Sequence, residues 1–198
     1  MVKYQLKQWF MIFSLVLLPW PAAAAELGGI KLPDSVRVTE GGAELVLNGA
    51  GVRTRFMFRV YVGALYLEKD LAKKSASANA IINDTGAKRI ELHMLRDVLA
   101  DQFTEALEDG LKNNNAAEEL PKFEARVRQL RAVFDVVKIA KAGDVIVIDF
   151  LPGAGARIAV NGTVKSTIAG EDFNRALLRI WLGDKPTDGG LKKGLLGG

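Results

Sequence analysis

Arg53 is the residue of this sequence best placed to do chemistry. It follows Gly49-Ala50-Gly51-Val52 and opens a stretch whose remaining residues are mostly apolar, so its guanidinium is expected near the core rather than in open solvent. A guanidinium withdrawn from water requires an anion, and its planar fork meets a carboxylate through two parallel hydrogen bonds. Two kinds of partner fit. One is an acid of the domain itself, such as Glu171 or Asp172; the other is the carboxylate of a ligand whose apolar body lies in a cleft between sheet and helices. Spacing alone leaves both open.

Other chemistries have less to stand on. His93 is the single histidine and there is no cysteine, so a zinc site of His and Cys ligands cannot be assembled and no metal is expected. His93 alternates with Ile90, Leu92 and Met94 in a strand-like run and reads as a surface residue on the opposite strand face. No Ser or Cys nucleophile pairs with a base at a recognisable spacing, so no catalytic residue is assigned. Gly153-Ala154-Gly155-Ala156 precedes a hairpin signal rather than a helix and reads as a turn, so no cofactor is implied. Asn83-Asp84-Thr85 and Asn161-Gly162-Thr163 match the glycosylation acceptor pattern, a short match that carries little weight.

Composition bounds the compartment and the partners. Lys3 and Lys7, the apolar run Phe10 to Trp20 and the stretch Pro21-Ala22-Ala23-Ala24-Ala25 read as the three regions of a signal peptide over residues 1–25. The apolar run is well short of the roughly 20 residues that span a bilayer, so no membrane span is expected after the leader is removed. The remaining residues, 26–198, are expected to form one domain in a periplasmic or secreted location. The leader carries two cations and no acid, so its loss lowers the formal charge from +4 to +2. Lys and Arg are interspersed with acids, and Arg126, Arg128 and Arg131 read as a solvated helix face, which excludes nucleic acid as a partner. Without cysteine, stability outside the cytoplasm must come from packing.

The elements that would position Arg53 follow from periodicity. Glu26 to Val36 reads as an extended lead-in. Val36 to Thr39 and Glu44 to Leu47 flank a turn at Gly41-Gly42, and Asn48-Gly49 reads as a second turn. Phe56 to Leu67 reads as two strands or one bent strand, and Ile90 to Leu95 as another. The apolar period then becomes helical from Asp97 to Leu111, ending at Asn113-Asn114-Asn115, and again from Pro121 to about Phe134. A β-branched strand at 145–150, a hairpin over Asn161-Gly162 and a helix from Glu171 to Leu182 complete the chain. Hairpins and separate helical blocks without βαβ alternation predict an α+β domain, an antiparallel sheet with helices packed on one face.

Four segments, in order, resemble the chalcone isomerase-like family. They are Gly49-Ala50-Gly51-Val52-Arg53, then Ala64-Leu65-Tyr66-Leu67-Glu68, then Arg96-Asp97-Val98-Leu99 with Phe103 beyond, and Ala176-Leu177-Leu178-Arg179-Ile180-Trp181-Leu182-Gly183. The resemblance covers residues 42 to 196 and implies an open-faced sandwich of sheet and helices. It also implies one of three roles: ring closure, with the arginine steadying a phenolate; fatty-acid binding, with the same arginine on the carboxylate; or a helper role without catalysis. Tyr61 stands where the enzymes carry a threonine, Phe123 and Leu130 where they carry a tyrosine and an asparagine, and Asn174 where they carry a second threonine. Without those donors chalcone cyclisation is not expected, because such catalysis depends on preorganised polar groups. The expectation is a non-catalytic protein that binds a small apolar acid, such as a fatty acid, with Arg53 as anchor. Tyr61 or Asn174 would be a second polar contact, and Phe123 and Leu130 an apolar wall. The alternatives are an isomerase or intramolecular lyase acting on another substrate, and a helper protein with a closed cleft; no protein partner is assigned.

Overall fold

The structure is a computed structural model and describes residues 25–39, 42–74 and 77–198; the expected leader, apart from Ala25, lies outside the described residues. The chain opens with three short strands, β1 (Ala25–Leu27), β2 (Ile30–Leu32) and β3 (Ser35–Arg37). A long hairpin follows, β4 (Glu44–Arg55) and β5 (Phe58–Glu68), then the short helices α1 (Lys69–Lys73) and α2 (Ala78–Asn83). Next come β6 (Lys88–Met94), the two-residue strand β7 (Val98–Leu99), helices α3 (Ala100–Asn114) and α4 (Leu120–Val137), and β8 (Ile139–Ala140). The last part holds β9 (Val145–Leu151), β10 (Gly155–Val160), β11 (Thr163–Ile168), α5 (Glu171–Leu182) and α6 (Gly189–Leu195).

Seven strands form one antiparallel sheet in the order β11-β10-β9-β6-β5-β4-β3, with β1-β2 and β7-β8 as separate two-stranded ribbons. Strand alternation sorts the side chains onto two faces. Tyr61, Leu65, Leu67, Ile90, Leu92, Met94, Ile146, Ile148 and Phe150 join the core under α3, α4 and α5, where Phe103 and Phe134 meet at 4.7 Å between ring centroids. This is the α+β arrangement the periodicity predicts.

The second face is also covered. Val62, Ala64 and Tyr66 pack there with Leu32, Val38 and Leu45. Beside them Asp149 is held between Arg89 (Nε to Oδ1, 2.6 Å) and Arg157 (Nη2 to Oδ2, 2.6 Å), its side chain only 2% exposed. The same guanidinium groups donate to the carbonyls of Arg37 (3.4 Å) and Val38 (2.5 Å), which ties the N-terminal strands onto the sheet. His93 lies on this face 3.2 Å from Glu91, with its side chain 15% exposed, so the expected surface histidine is largely covered. Likewise the expected lead-in is three strands, because the apolar residues Ile30, Leu32 and Val36 are drawn onto this face.

Asn48-Gly49 is not a turn. The strand β4 runs through it with a register shift between Leu47 and Gly49, and the turn falls at Phe56-Met57. The reason is tertiary. A Cβ on Gly49 would lie 2.2 Å from the carbonyl oxygen of Gly194, and one on Gly194 2.3 Å from the carbonyl oxygen of Ala50, so these glycines let α6 rest directly on the strand backbone. Asn48 reinforces the contact by donating to the Leu195 carbonyl at 2.7 Å. At the other end of the sheet Asn161 (φ 50°) and Gly162 (φ 76°) form the expected tight turn.

Two outcomes test this packing. Gly194→Ala should lower stability by roughly 1–3 kcal/mol in urea unfolding, the usual cost of an overpacked contact, whereas Gly189→Ala, with open space around it, should be neutral or slightly stabilising. Equal stability of the two variants would show that the close contact is not needed. Tyr61 and Tyr66, on opposite faces of β5, are the only tyrosines beyond residue 24, and burial raises the pKa of both above the ordinary 10.0. The folded state therefore keeps both phenols protonated. Their contribution to stability is complete below the unfolded pKa and is lost as pH rises from about 10 toward the folded values. In an alkaline titration of the leader-free protein, tyrosinate absorbance should appear only together with unfolding; an earlier step at pH near 10 in the folded protein would contradict the burial.

Candidate functional site

The site is built where the β4–β5 hairpin passes α3. Arg53 and Tyr61 are direct cross-strand partners, and the backbone register shifts immediately after Arg53. The guanidinium carbon stands 5.6 Å from the centre of the Tyr61 ring, a cation–aromatic distance. Tyr61 is buried, and its hydroxyl oxygen accepts a 3.0 Å hydrogen bond from Trp181 Nε1 of α5. Burial raises the Tyr61 pKa, and the nearby positive charge of Arg53 opposes that rise without cancelling it. The phenol is thus a neutral, fixed platform beneath the guanidinium.

Arg53 is half-buried, and its Nε atom is fully buried without a hydrogen-bond partner. Among the described residues no carboxylate lies within 4.0 Å of it. The acids that could have neutralised it are engaged elsewhere. Asp172 pairs with Arg126 at 2.6 Å, and that hydrogen bond holds its carboxyl below the ordinary value. Glu171 accepts from the Gly153 amide at 2.9 Å. Asp188, the nearest acid in chain terms to this end of α6, accepts from the amides of Leu191 (2.8 Å) and Thr54 (3.0 Å), capping the helix and stitching it to the strand beside Arg53. A guanidinium with a buried, unbonded nitrogen is costly unless something else satisfies it.

Two adjoining clefts meet at Arg53. One, about 440 Å³, lies between Arg53–Arg55, the polar face of α3 (Gln102, Glu105, Asp109) and the loop Lys185–Thr187. Asn114 holds that loop in place by donating to the Lys185 carbonyl (2.7 Å) and accepting from the Lys185 amide (2.9 Å). The second cleft, about 290 Å³, is walled by Phe56, Phe58, Val60, Val98 and Phe103, with Arg53, Arg55 and Arg96 at its edges. Together they offer a cation at the junction, polar groups on one side and an apolar wall on the other, within the usual dimensions of small-molecule sites. No group of His, Asp or Glu among the described residues is arranged to hold a metal ion.

The structure brings Arg53 and Tyr61 together and places the other expected site residues elsewhere. Phe123 and Leu130 are core residues of α4; Phe123 packs on Phe173 at 5.7 Å and borders a separate groove between α3 and α4. Neither lines the clefts at Arg53, because the buried stripe of α4 packs on α3 and on the sheet edge at β11. Asn174 is buried in the first turn of α5, about 10 Å along the helix from Trp181 at 1.5 Å per residue, and therefore at the far end of the site's supporting helix. Its Oδ1 has no partner, and beside it and Lys88 is a void of about 10 Å³, room for a single water. Two elements of the site were not foreseen. The α3 wall of Gln102, Glu105 and Asp109 carries the spacing of a solvated helix face, and Asp188 carries the signal of a helix cap, a polar residue before Gly189, without any sign that it also bonds Thr54.

The comparisons agree with this architecture. A fatty-acid binding protein of Arabidopsis thaliana has a similar fold, with a TM-score of 0.62 and 16% sequence identity over 85% of this chain and 92% of that one. No curated protein matches the sequence. The sequence model described as chalcone isomerase-like matches residues 24–197, from the first described strand through α6. With the match spanning nearly the whole length, and the fold in accord, the chain belongs to the chalcone isomerase-like family.

Proposed function

We propose that this chain is an exported, non-catalytic protein that binds a small apolar carboxylate, such as a fatty acid, with Arg53 as the anchor. The observation that carries the reading is the half-buried Arg53 guanidinium, without an acid partner among the described residues, at the junction of two clefts. A carboxylate there takes the hydrogen bonds the protein leaves unmade, and charge-assisted bonds of this kind are among the stronger ones. The wall of Phe58, Val60, Val98 and Phe103 takes the apolar body. Support also comes from the plant protein of the same fold, which is a fatty-acid binding protein. Tyr61 acts on Arg53 rather than on the ligand, since it is buried beneath it and held by Trp181. The export half of the reading rests on the signal-peptide pattern of residues 1–25.

Isothermal titration with dodecanoate tests the anchor. Arg53→Ala should weaken binding about 10- to 100-fold, since hydrogen bonds to charged groups contribute about 1.5–3 kcal/mol. Arg53→Lys should fall between the two, and dodecanol should bind wild type and Arg53→Ala alike. Dodecanoate binding that is undiminished in Arg53→Ala removes Arg53 from the role; cyclisation of a chalcone by wild type that vanishes in Arg53→Ala would favour an isomerase instead. For export, the processed protein recovered from outside the cytoplasm should begin at Glu26, and a full-length cytoplasmic product would refute it.

A further inference from the structure

The tip of the β4–β5 hairpin breaks the rule that tight turns carry glycine or polar residues. Its two-residue loop is Phe56-Met57, and Phe56 holds φ at 57°, the left-handed region in which hairpin turns ordinarily place glycine. The side chains it presents are open to solvent: Phe56 is 92% exposed, Met57 83% and Phe58 57%. An aromatic residue kept in a strained conformation in order to face water has no part in the stability of this fold, and such outliers point to function.

The cations around the tip are arranged with it. Arg55 lies over the Phe56 ring at 5.9 Å and Arg96 over the Phe58 ring at 5.0 Å, and Arg59 is exposed on the same hairpin. Among the described residues none of the three has a carboxylate partner, whereas Arg89, Arg126, Arg128, Arg131, Arg157 and Arg179 all do. Asp97, the acid nearest in sequence to Arg96, is occupied by the Ala142 amide at 2.8 Å. The neighbouring β7–β8 ribbon adds Leu99 and Ile139, cross-strand partners that are 52% and 38% exposed, with Lys138 and Lys141 beside them. For a chain of low net charge, this is a local concentration of unneutralised cations around projecting apolar groups.

We infer that this tip docks reversibly on an anionic lipid surface. Apolar and aromatic side chains enter the boundary between headgroups and acyl chains, and the flanking arginines meet lipid phosphates, the pairing seen wherever amphipathic elements lie on membranes. Among the described residues no helix is long and apolar enough to cross a bilayer, and the attachment inferred for the tip is a peripheral one. The apolar cleft opens at the same place, for Phe56, Phe58, Arg55 and Arg96 are also its walls. Docking there sets the mouth of the site against the lipid, where an amphipathic acid enters or leaves without crossing water. The inference goes beyond the binding reading, and the tip carries it whether or not Arg53 holds a carboxylate.

Sedimentation with large unilamellar vesicles tests it, using the leader-free protein and phosphatidylcholine vesicles with or without one quarter phosphatidylglycerol. Wild type should partition onto the anionic vesicles about tenfold more than onto the neutral ones, and added salt should release it. Phe56→Ser with Met57→Ser should abolish partitioning, and Arg55→Gln with Arg96→Gln should remove the preference for phosphatidylglycerol. Arg53→Ala should still bind vesicles, which separates failure of this inference from failure of the carboxylate site. Should the tip variant misfold, Phe56→Trp gives a second readout, a blue-shifted emission on anionic vesicles. Absence of wild-type partitioning, retention of it in the serine variant, or an unshifted tryptophan at position 56 each overturns the proposal.

Discussion

Gly49, Gly51 and Gly194 bring the C-terminal helix and the central hairpin together backbone to backbone, and much of the site's geometry follows from that contact. With no side chain between them, α6 lies low enough for Asp188 to reach the Thr54 amide while capping its own helix. That bond fixes the strand just past the register shift at Arg53, and Leu191 fills the space over Gly51 and Gly63 between Arg53 and the core. The Asp188 carboxylate is spent on backbone amides and is not a counterion. A side chain at any of these glycines would lift the helix, release Asp188 and make it available to neutralise the arginine.

The two faces of the sheet solve different problems. The helix-covered face is almost wholly apolar, and near the site the polar pair Trp181 and Tyr61 satisfies itself. The other face buries Asp149 between two arginines whose remaining donors hold the N-terminal strands. Removing one member of such a buried network leaves an uncompensated charge, a cost of about 3–5 kcal/mol. Both guanidinium groups of that network are used. The contrast with the hairpin tip, where arginines stack on exposed rings and pair with no acid among the described residues, separates cations that hold the fold from cations left for something else.

Local signals in the sequence carried most of the architecture. The alternation of Ile90, Leu92 and Met94, the β-branched run at 145–150, the Asn161-Gly162 turn and the helical period of α3 and α5 each depend on neighbours a few residues away, and each matches the structure, save that α3 begins at Ala100 rather than Asp97 because Val98 and Leu99 pair with β8. The exceptions are decided at long range. Asn48-Gly49 has the chemistry of a turn but serves as a landing place for α6, nearly 150 residues later in the chain, and the real turn carries two residues, Phe56 and Met57, that no turn rule selects. The site divides the same way. Arg53 is legible from the glycine-flanked apolar stretch it opens, and Tyr61 from the family resemblance; the hairpin that pairs them is not. The contacts expected of Phe123, Leu130 and Asn174 rest on how helices rotate and slide over the sheet, which a correspondence of positions does not specify.

The β3 strand is only three residues long beside a β4 of twelve, so among the described residues most of β4 has no strand on its outer side. A long open strand of this kind is a template on which another chain can add by hydrogen bonding, the usual route to fibrous aggregation. Here α6 stands in the way: its backbone contacts Gly49 and Ala50, Asn48 is tied to Leu195, and the Thr54 amide is already bonded to Asp188. The C-terminal helix is therefore also an edge guard. A protein clipped before Gly189 would lose more than the helix that steadies the strand beside Arg53; it would expose a strand edge to every other copy in solution.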